Sequence, residues 1–126
     1  MWEIEPEKIH SLNSGTDIPF GTKAFYSNFE NYYLTFQADG NLVVKNSGND
    51  GFKWGSYNNM NIPTTGKKLR FENGFLIFKD AANKEVGRLG VNAPNSKLIL
   101  SSDSNPASGS FLKVVDIKGN IVWTSN

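Results

Sequence analysis

The chain repeats itself, and a fold must respect that. Placing LTFQADGNLVVKNSGNDGFKWGS above LRFENG-FLIFKDAANKEVGRLGV brings Leu34, Phe36, Gly40, Leu42 and Lys45 onto Leu69, Phe71, Gly74, Leu76 and Lys79. The same alignment puts Trp54-Gly55 on Leu89-Gly90. A looser third copy, KLILSSDSNPASGSFLKVVDIKGNIVWTSN, offers Leu98 and Leu100 for Leu34 and Phe36, and Trp123 for Trp54. The period is about 34 residues, and units of that size bury their apolar faces by packing on one another. Three units around one axis are therefore expected, with Trp54, Leu89 and Trp123 as the plug at its centre. The copies, at about 30–60, 65–93 and 95–126, are joined without linkers, so residues 1–126 read as a single domain.

Within each unit the apolar residues alternate. YYLTF, NLVVK, KLRF, FLIFK, KLIL and NIVW have period two, and ADG, SGND, ENG and IKGN punctuate them as turns. Short strands at close spacing, with poor helix signals between them, give an all-β fold. The segment LNSGTDIPFGTKAF carries its own turn glycines, Gly15 and Gly21, and is expected to supply strands that complete the sheets.

Charge excludes some partners. With 13 basic against 12 acidic residues, the chain has no field to attract nucleic acid or an anionic membrane. The absence of cysteine removes disulfides, thiolate metal sites and thiol nucleophiles, and permits a reducing compartment. MWEIEPEKIH lacks an apolar core of the signal-peptide kind, and no apolar run is long enough to span a bilayer. A cytoplasmic or non-classically exported protein fits these features best, and no cofactor or metal is expected.

The segment LTFQADGNLVVK fits a hairpin with the three-residue loop Ala38-Asp39-Gly40, a type I turn closed by a left-handed glycine. Gln37 then faces Asn41, Phe36 faces Leu42, Thr35 faces Val43 and Leu34 faces Val44. Cross-strand partners share a face, so Leu34, Phe36, Leu42 and Val44 enter the core. Thr35, Gln37, Asn41, Val43 and Lys45 lie outside, with Asp39 at the rim. Amides that donate and accept, a carboxylate that accepts and an aliphatic platform at Val43 suit the hydroxyls and C–H face of a sugar ring. The same residues also occur in ordinary exposed turns, so both readings stand at this point.

The second hairpin turns on Asn73-Gly74, the residue pair favoured in a type I′ loop. Its core face is Leu69, Phe71, Leu76 and Phe78. Its outer face is Arg70, Glu72, Phe75, Ile77 and Lys79, with Phe75 where Asn41 stood. Glu72, Asn73, Phe75, Ile77 and Lys79 thus form a degenerate counterpart of the first patch that cannot bind a sugar in the same way. Ser101, Asp103 and Asn105 imitate the pattern in the third copy, but the following PASGS spoils the turn.

The residues QADGNLVVK resemble the signature of the bulb-type, or monocot, mannose-binding lectins with their B-lectin domain, Gln-x-Asp-x-Asn-x-Val-x-Tyr. Gln37, Asp39, Asn41 and Val43 match, and Lys45 replaces the family tyrosine. LNSGTDIPFGTKAF is similar to the family's opening turns and GNIVWTSN to its closing strand, so the likeness covers most of the chain. The resemblance implies a type II β-prism, with three four-stranded antiparallel sheets in pseudo-threefold symmetry. It implies carbohydrate-binding through Gln37, Asp39, Asn41, Val43 and Lys45. Gln37 and Asn41 would bond ring hydroxyls, Asp39 the axial 2-hydroxyl of mannose, and Val43 would pack on ring carbons. It also implies a possible homodimer by exchange of the C-terminal strand.

Other readings compete. The same prism with decayed sugar sites would be a protein interaction or structural module, meeting partners through exposed aromatics such as Phe75. A β-trefoil, also threefold and sugar-binding, is the rival fold. An enzyme is disfavoured: His10 is the sole histidine and reads as a surface residue without an acidic partner motif, and no carboxylate pair has an acid/base signature. Trp2 and FYSNFENYY read as core or interface.

Overall fold

The computed structural model describes residues 9–101, 103 and 110–125. Twelve strands are found among them: β1 (Leu12–Asn13), β2 (Thr16–Asp17), β3 (Lys23–Tyr26), β4 (Tyr32–Phe36), β5 (Leu42–Asn46), β6 (Phe52–Gly55), β7 (Lys68–Glu72), β8 (Phe75–Lys79), β9 (Glu85–Gly90), β10 (Lys97–Leu100), β11 (Leu112–Val115) and β12 (Ile121–Thr124). One short helix, α1 (Ser56–Met60), follows β6. The strands make three four-stranded sheets, ordered β3-β4-β5-β6, β2-β7-β8-β9 and β1-β10-β11-β12. The ladders are antiparallel throughout. The LNSGTDIPFGTKAF segment does complete the sheets, and it does so by giving one strand to each.

Both hairpin registers follow from their turns. In the first, Leu34 pairs with Val44, Thr35 with Val43 and Phe36 with Leu42. The Gln37 N–H donates to the Asn41 carbonyl, the Gly40 N–H donates to the Gln37 carbonyl, and Gly40 has φ +87°. In the second, Asn73 and Gly74 both take positive φ, as a type I′ loop requires, and Glu72 pairs with Phe75. The inward residues of both hairpins are buried in one core with Phe25, Leu98, Leu112 and Val114.

The turn glycines serve a second purpose. A Cβ on Gly40 would stand 2.0 Å from the Thr64 carbonyl oxygen, and one on Gly74 would stand 2.0 Å from that of Val91. Each hairpin tip is pressed against the connection leading to the next unit, which locks neighbouring units together.

The central plug differs from expectation. Trp54 lies opposite Val44 and Trp123 opposite Val114, but Leu89 lies opposite Leu76. The residue matching the tryptophans is Gly87, opposite Phe78, and Ile62 fills the space there, within 3.1 Å of where a Cβ would be. Leu89 instead matches Ser56 and Ser125, the buried serines just after β6 and β12. Those two act alike: the Ser56 hydroxyl accepts from the Leu42 N–H, and the Ser125 hydroxyl accepts from the Phe111 and Leu112 N–H groups. The plug is also uneven. Trp54 is fully buried and donates its indole N–H to the Ser125 carbonyl at 3.1 Å, whereas Trp123 is only half-buried.

The aromatic run FYSNFENYY divides. Phe25, Tyr32 and Tyr33 are buried, while Phe29 is exposed. Trp2 lies outside the described residues. Among the described residues, no helix is long and apolar enough to cross a membrane.

Candidate functional site

The first hairpin carries its polar residues where the sequence placed them, but they are not equally accessible. Asp39 is exposed at the tip and its carboxylate accepts from the Asn41 N–H at 3.0 Å, an Asx turn that fixes the loop. Gln37 is half-exposed, and its carboxamide makes no hydrogen bond to a described residue. Asn41 is held from the side. Its Oδ1 accepts from the Tyr57 N–H at 3.0 Å and the Ser56 hydroxyl at 3.2 Å, and its Nδ2 donates to Asn58 Oδ1 at 2.9 Å. All three partners lie in α1, so this carboxamide organises the start of the helix and keeps one N–H in reserve.

Val43 departs from the expected outward platform. It is 1% exposed. Its neighbour across β6 is Gly55, and a side chain there would meet Asn58 at 2.5 Å and Phe52 at 3.0 Å. Those two residues therefore occupy the outer face of the sheet at this pair. The sequence reading missed α1 because five mostly polar residues, SYNNM, show no amphipathic period.

Lys45 lies opposite Tyr33 and Phe52 and makes no ion pair with a described residue. The outer face here is capped by Tyr33, only 4% exposed, whose hydroxyl donates to Asp50 Oδ1 at 2.7 Å. The Lys23 ammonium sits 4.7 Å above its ring. Burial first, then the hydrogen bond to Asp50 and the charge on that carboxylate, push the Tyr33 hydroxyl up to about 12. Burial, helped by the Asp103 charge, also raises Tyr32. The folded state therefore holds these protons more tightly than the unfolded chain, whose tyrosines titrate near 10. Their stabilisation is complete below pH 10 and is lost as pH rises towards 12. Urea midpoints should fall between pH 9.5 and about 11.5, and Tyr33→Phe should flatten that fall. An unchanged slope in the variant would remove Tyr33 as its source.

The second hairpin presents a depression of about 200 Å³ over its outer face. Arg70, Glu72, Ile77 and Lys79 line it, as do Asp17 from β2, Lys68 and Asn83. Arg70 is paired with Asp17 at 2.9 Å and with Glu72 at 3.5 Å. Phe75 lies beside this region with the Arg88 guanidinium 4.8 Å from its ring centre. Lys68 opens β7 and reads in the sequence as solvated surface, whereas Asp17 and Asn83 were not singled out. Those two join the site only through the pairing of β2 with β7 and the loop after β8, which no local motif announces. In the third copy, Asn105 and residues 106–109 lie outside the described residues, so the imitation of the pattern there has no structural account.

His10 has the acidic partner that its sequence context did not announce: its Nε2 lies 2.8 Å from Glu30 Oε2. Among the described residues, no group of three or more His, Cys, Asp or Glu side chains is placed to hold a metal.

Three sheets, each of one strand from residues 12–26 and three consecutive later strands, can be compared with solved structures. A lectin of Marasmius oreades superposes with a TM-score of 0.69 at 16% identity, covering 94% of this chain and 91% of its own. The fold is that of the β-prism II lectins. A monomeric monocot mannose-binding lectin from Gastrodia elata gives a TM-score of 0.64 at 22% identity, covering 93% of this chain and 95% of its own. The snowdrop (Galanthus nivalis) mannose-specific agglutinin, solved with methyl-α-D-mannoside, gives 0.58 at 21% identity, covering 91% and 94%. No protein-family model and no curated protein matches the sequence. At these identities the likeness establishes the β-prism, and the ligand has to be argued from the residues.

Proposed function

We propose that this β-prism protein is a non-catalytic lectin-like module that binds glycans reversibly, with mannose-type sugars taken at the first hairpin. The observation that carries the reading is the hairpin itself, which sets Gln37 and Asn41 opposite one another beside the exposed Asp39 on a fold shared with mannose-binding lectins. In this reading Gln37 and Asp39 meet the sugar first. Asn41 contributes its remaining N–H, or its whole carboxamide once α1 moves aside, and Lys45 donates where the family signature has tyrosine. Val43 adds little contact unless α1 and Phe52 shift.

Single sites of this shallow, polar kind bind near millimolar, about −4 kcal/mol. Useful avidity then needs several sites in one assembly. A homodimer formed by exchanging β12 would supply them. Ile121 and Val122 on that strand are exposed in the single chain.

A second reading is favoured by one observation. Asn41 is already engaged by three partners in α1, as a residue retained for structure would be. The prism would then be an interaction module with decayed sugar sites. Titration with methyl α-D-mannoside, followed by amide NMR, separates the two. The lectin reading expects saturable shifts at residues 37–45, lost in Gln37→Ala at unchanged melting temperature. Lys45→Tyr should tighten binding by about threefold to tenfold, the worth of a modest hydrogen bond. Silent spectra for both proteins at tens of millimolar sugar would leave the interaction module.

A further inference from the structure

The depression on the second hairpin has an electrostatic peculiarity. Lys68 and Lys79 are direct cross-strand partners, so two ammonium-bearing chains leave the sheet side by side on one face. Like charges directly opposite one another destabilise a strand pair. Local carboxylates offset them only in part: the Glu85 carboxyl is held below its usual range first by its hydrogen bond to Arg88 and only lastly by the Lys79 charge opposite it. Asp17 and Glu72 are drawn to Arg70. Glu85, opposite Lys79, is hydrogen-bonded through both oxygens by Arg88. Lys68 reaches only the neutral Asn83 side chain, at 3.4 Å. Lys68, Lys79, Arg70 and Arg88 thus meet three carboxylates, Asp17, Glu72 and Glu85, which leaves room for one more anion, beside acceptors that still have free lone pairs and a half-exposed aliphatic surface at Ile77.

We infer that this cleft binds an acidic sugar, a hexuronate or a similar singly charged saccharide, with its carboxylate between Lys68 and Lys79. The inference rests on the glycan-binding reading and assigns a different chemistry to a different face. Glu72 and Asn83 accept from ring hydroxyls, and Ile77 underlies the ring carbons. With Asp17 and Glu72 beside Arg70, the positive excess in the cleft is small, which suits a lone charge on a polar body better than a polyanion. A second depression of about 430 Å³ shares Asp17, Lys68 and Leu69 with the first and is bordered by Pro19, Phe20 and Lys67. It offers a neighbouring sugar ring an apolar surface.

The test is an amide NMR titration of the full chain at constant ionic strength with methyl β-D-glucuronide, methyl β-D-glucoside, sodium acetate and methyl α-D-mannoside. The glucuronide should shift Lys68, Ile77 and Lys79 saturably, while the glucoside and acetate leave them in place. Lys79→Gln and Lys68→Gln should each weaken the glucuronide about tenfold, one charge-assisted hydrogen bond's worth. Each should also raise the melting temperature slightly, since a like-charge pair is removed. Acetate reproducing the shifts would mean a bare anion site and overturn the inference, as would undiminished binding in both variants. Mannoside shifts at residues 37–45 with a glucuronide-silent cleft would overturn this inference alone. Silence toward every sugar would overturn the glycan reading with it.

Discussion

Gly40→Ala should destabilise the protein about twice as much as Gly21→Ala, or more. Both glycines have positive φ, +87° and +75°, where an L-residue costs about 1–2 kcal/mol. They differ in what surrounds them. Nothing lies within 4 Å of a Cβ on Gly21, whereas one on Gly40 would collide with the Thr64 carbonyl at 2.0 Å. That atom is backbone, so relief requires moving the connection between the first and second units. Overpacking of this kind adds about 1–3 kcal/mol. The expected loss is about 3 kcal/mol or more for Gly40→Ala and about 1–2 kcal/mol for Gly21→Ala, read from urea unfolding. Equal losses would mean that the hairpin tip does not press on the next unit.

The tryptophans give the second large effect. Trp54→Ala removes a fully buried side chain and its hydrogen bond to the Ser125 carbonyl. Truncating a buried tryptophan costs about 3–5 kcal/mol, a large part of the stability of a domain this size. Trp123→Ala, at the matching position of the third unit but half-buried, should cost less than half as much. A perfectly threefold centre would make the two losses equal, and equal losses in urea unfolding would overturn the uneven plug described above.

Both hairpin registers were legible in the sequence because their signals are local. Alternation assigns each residue to a face, and ADG and NG fix the turns that set the pairing. Leu89 shows where this kind of reading stops. It was matched to Trp54 by apolar character, but the loop between Lys79 and Glu85 is one residue shorter than that between Lys45 and Phe52. True register therefore places Gly87 at that point. A glycine gives no hydrophobic signal, and Ile62, which fills its place, comes from elsewhere in the chain. Val43 was assigned to the correct face, yet its burial depends on Phe52 and Asn58, whose positions over Gly55 follow from tertiary packing. The cleft on the second hairpin was half visible, through Arg70, Glu72, Ile77 and Lys79. Its other wall comes from Asp17 and Asn83, and only the assembled sheet brings them near.

The way β1, β2 and β3 are distributed has a kinetic consequence. Residues 12–26 supply an edge to every sheet, and Leu12 finds its partner at Leu98. During synthesis β3 can pair at once with β4, but β2 waits for β7 and β1 waits until β10 has emerged. Such distant pairings close large loops before any contact rewards them, and folding dominated by them runs in milliseconds to seconds. The same arrangement makes this short segment the clasp of the whole prism, so cutting it away would leave three bare strand edges at once.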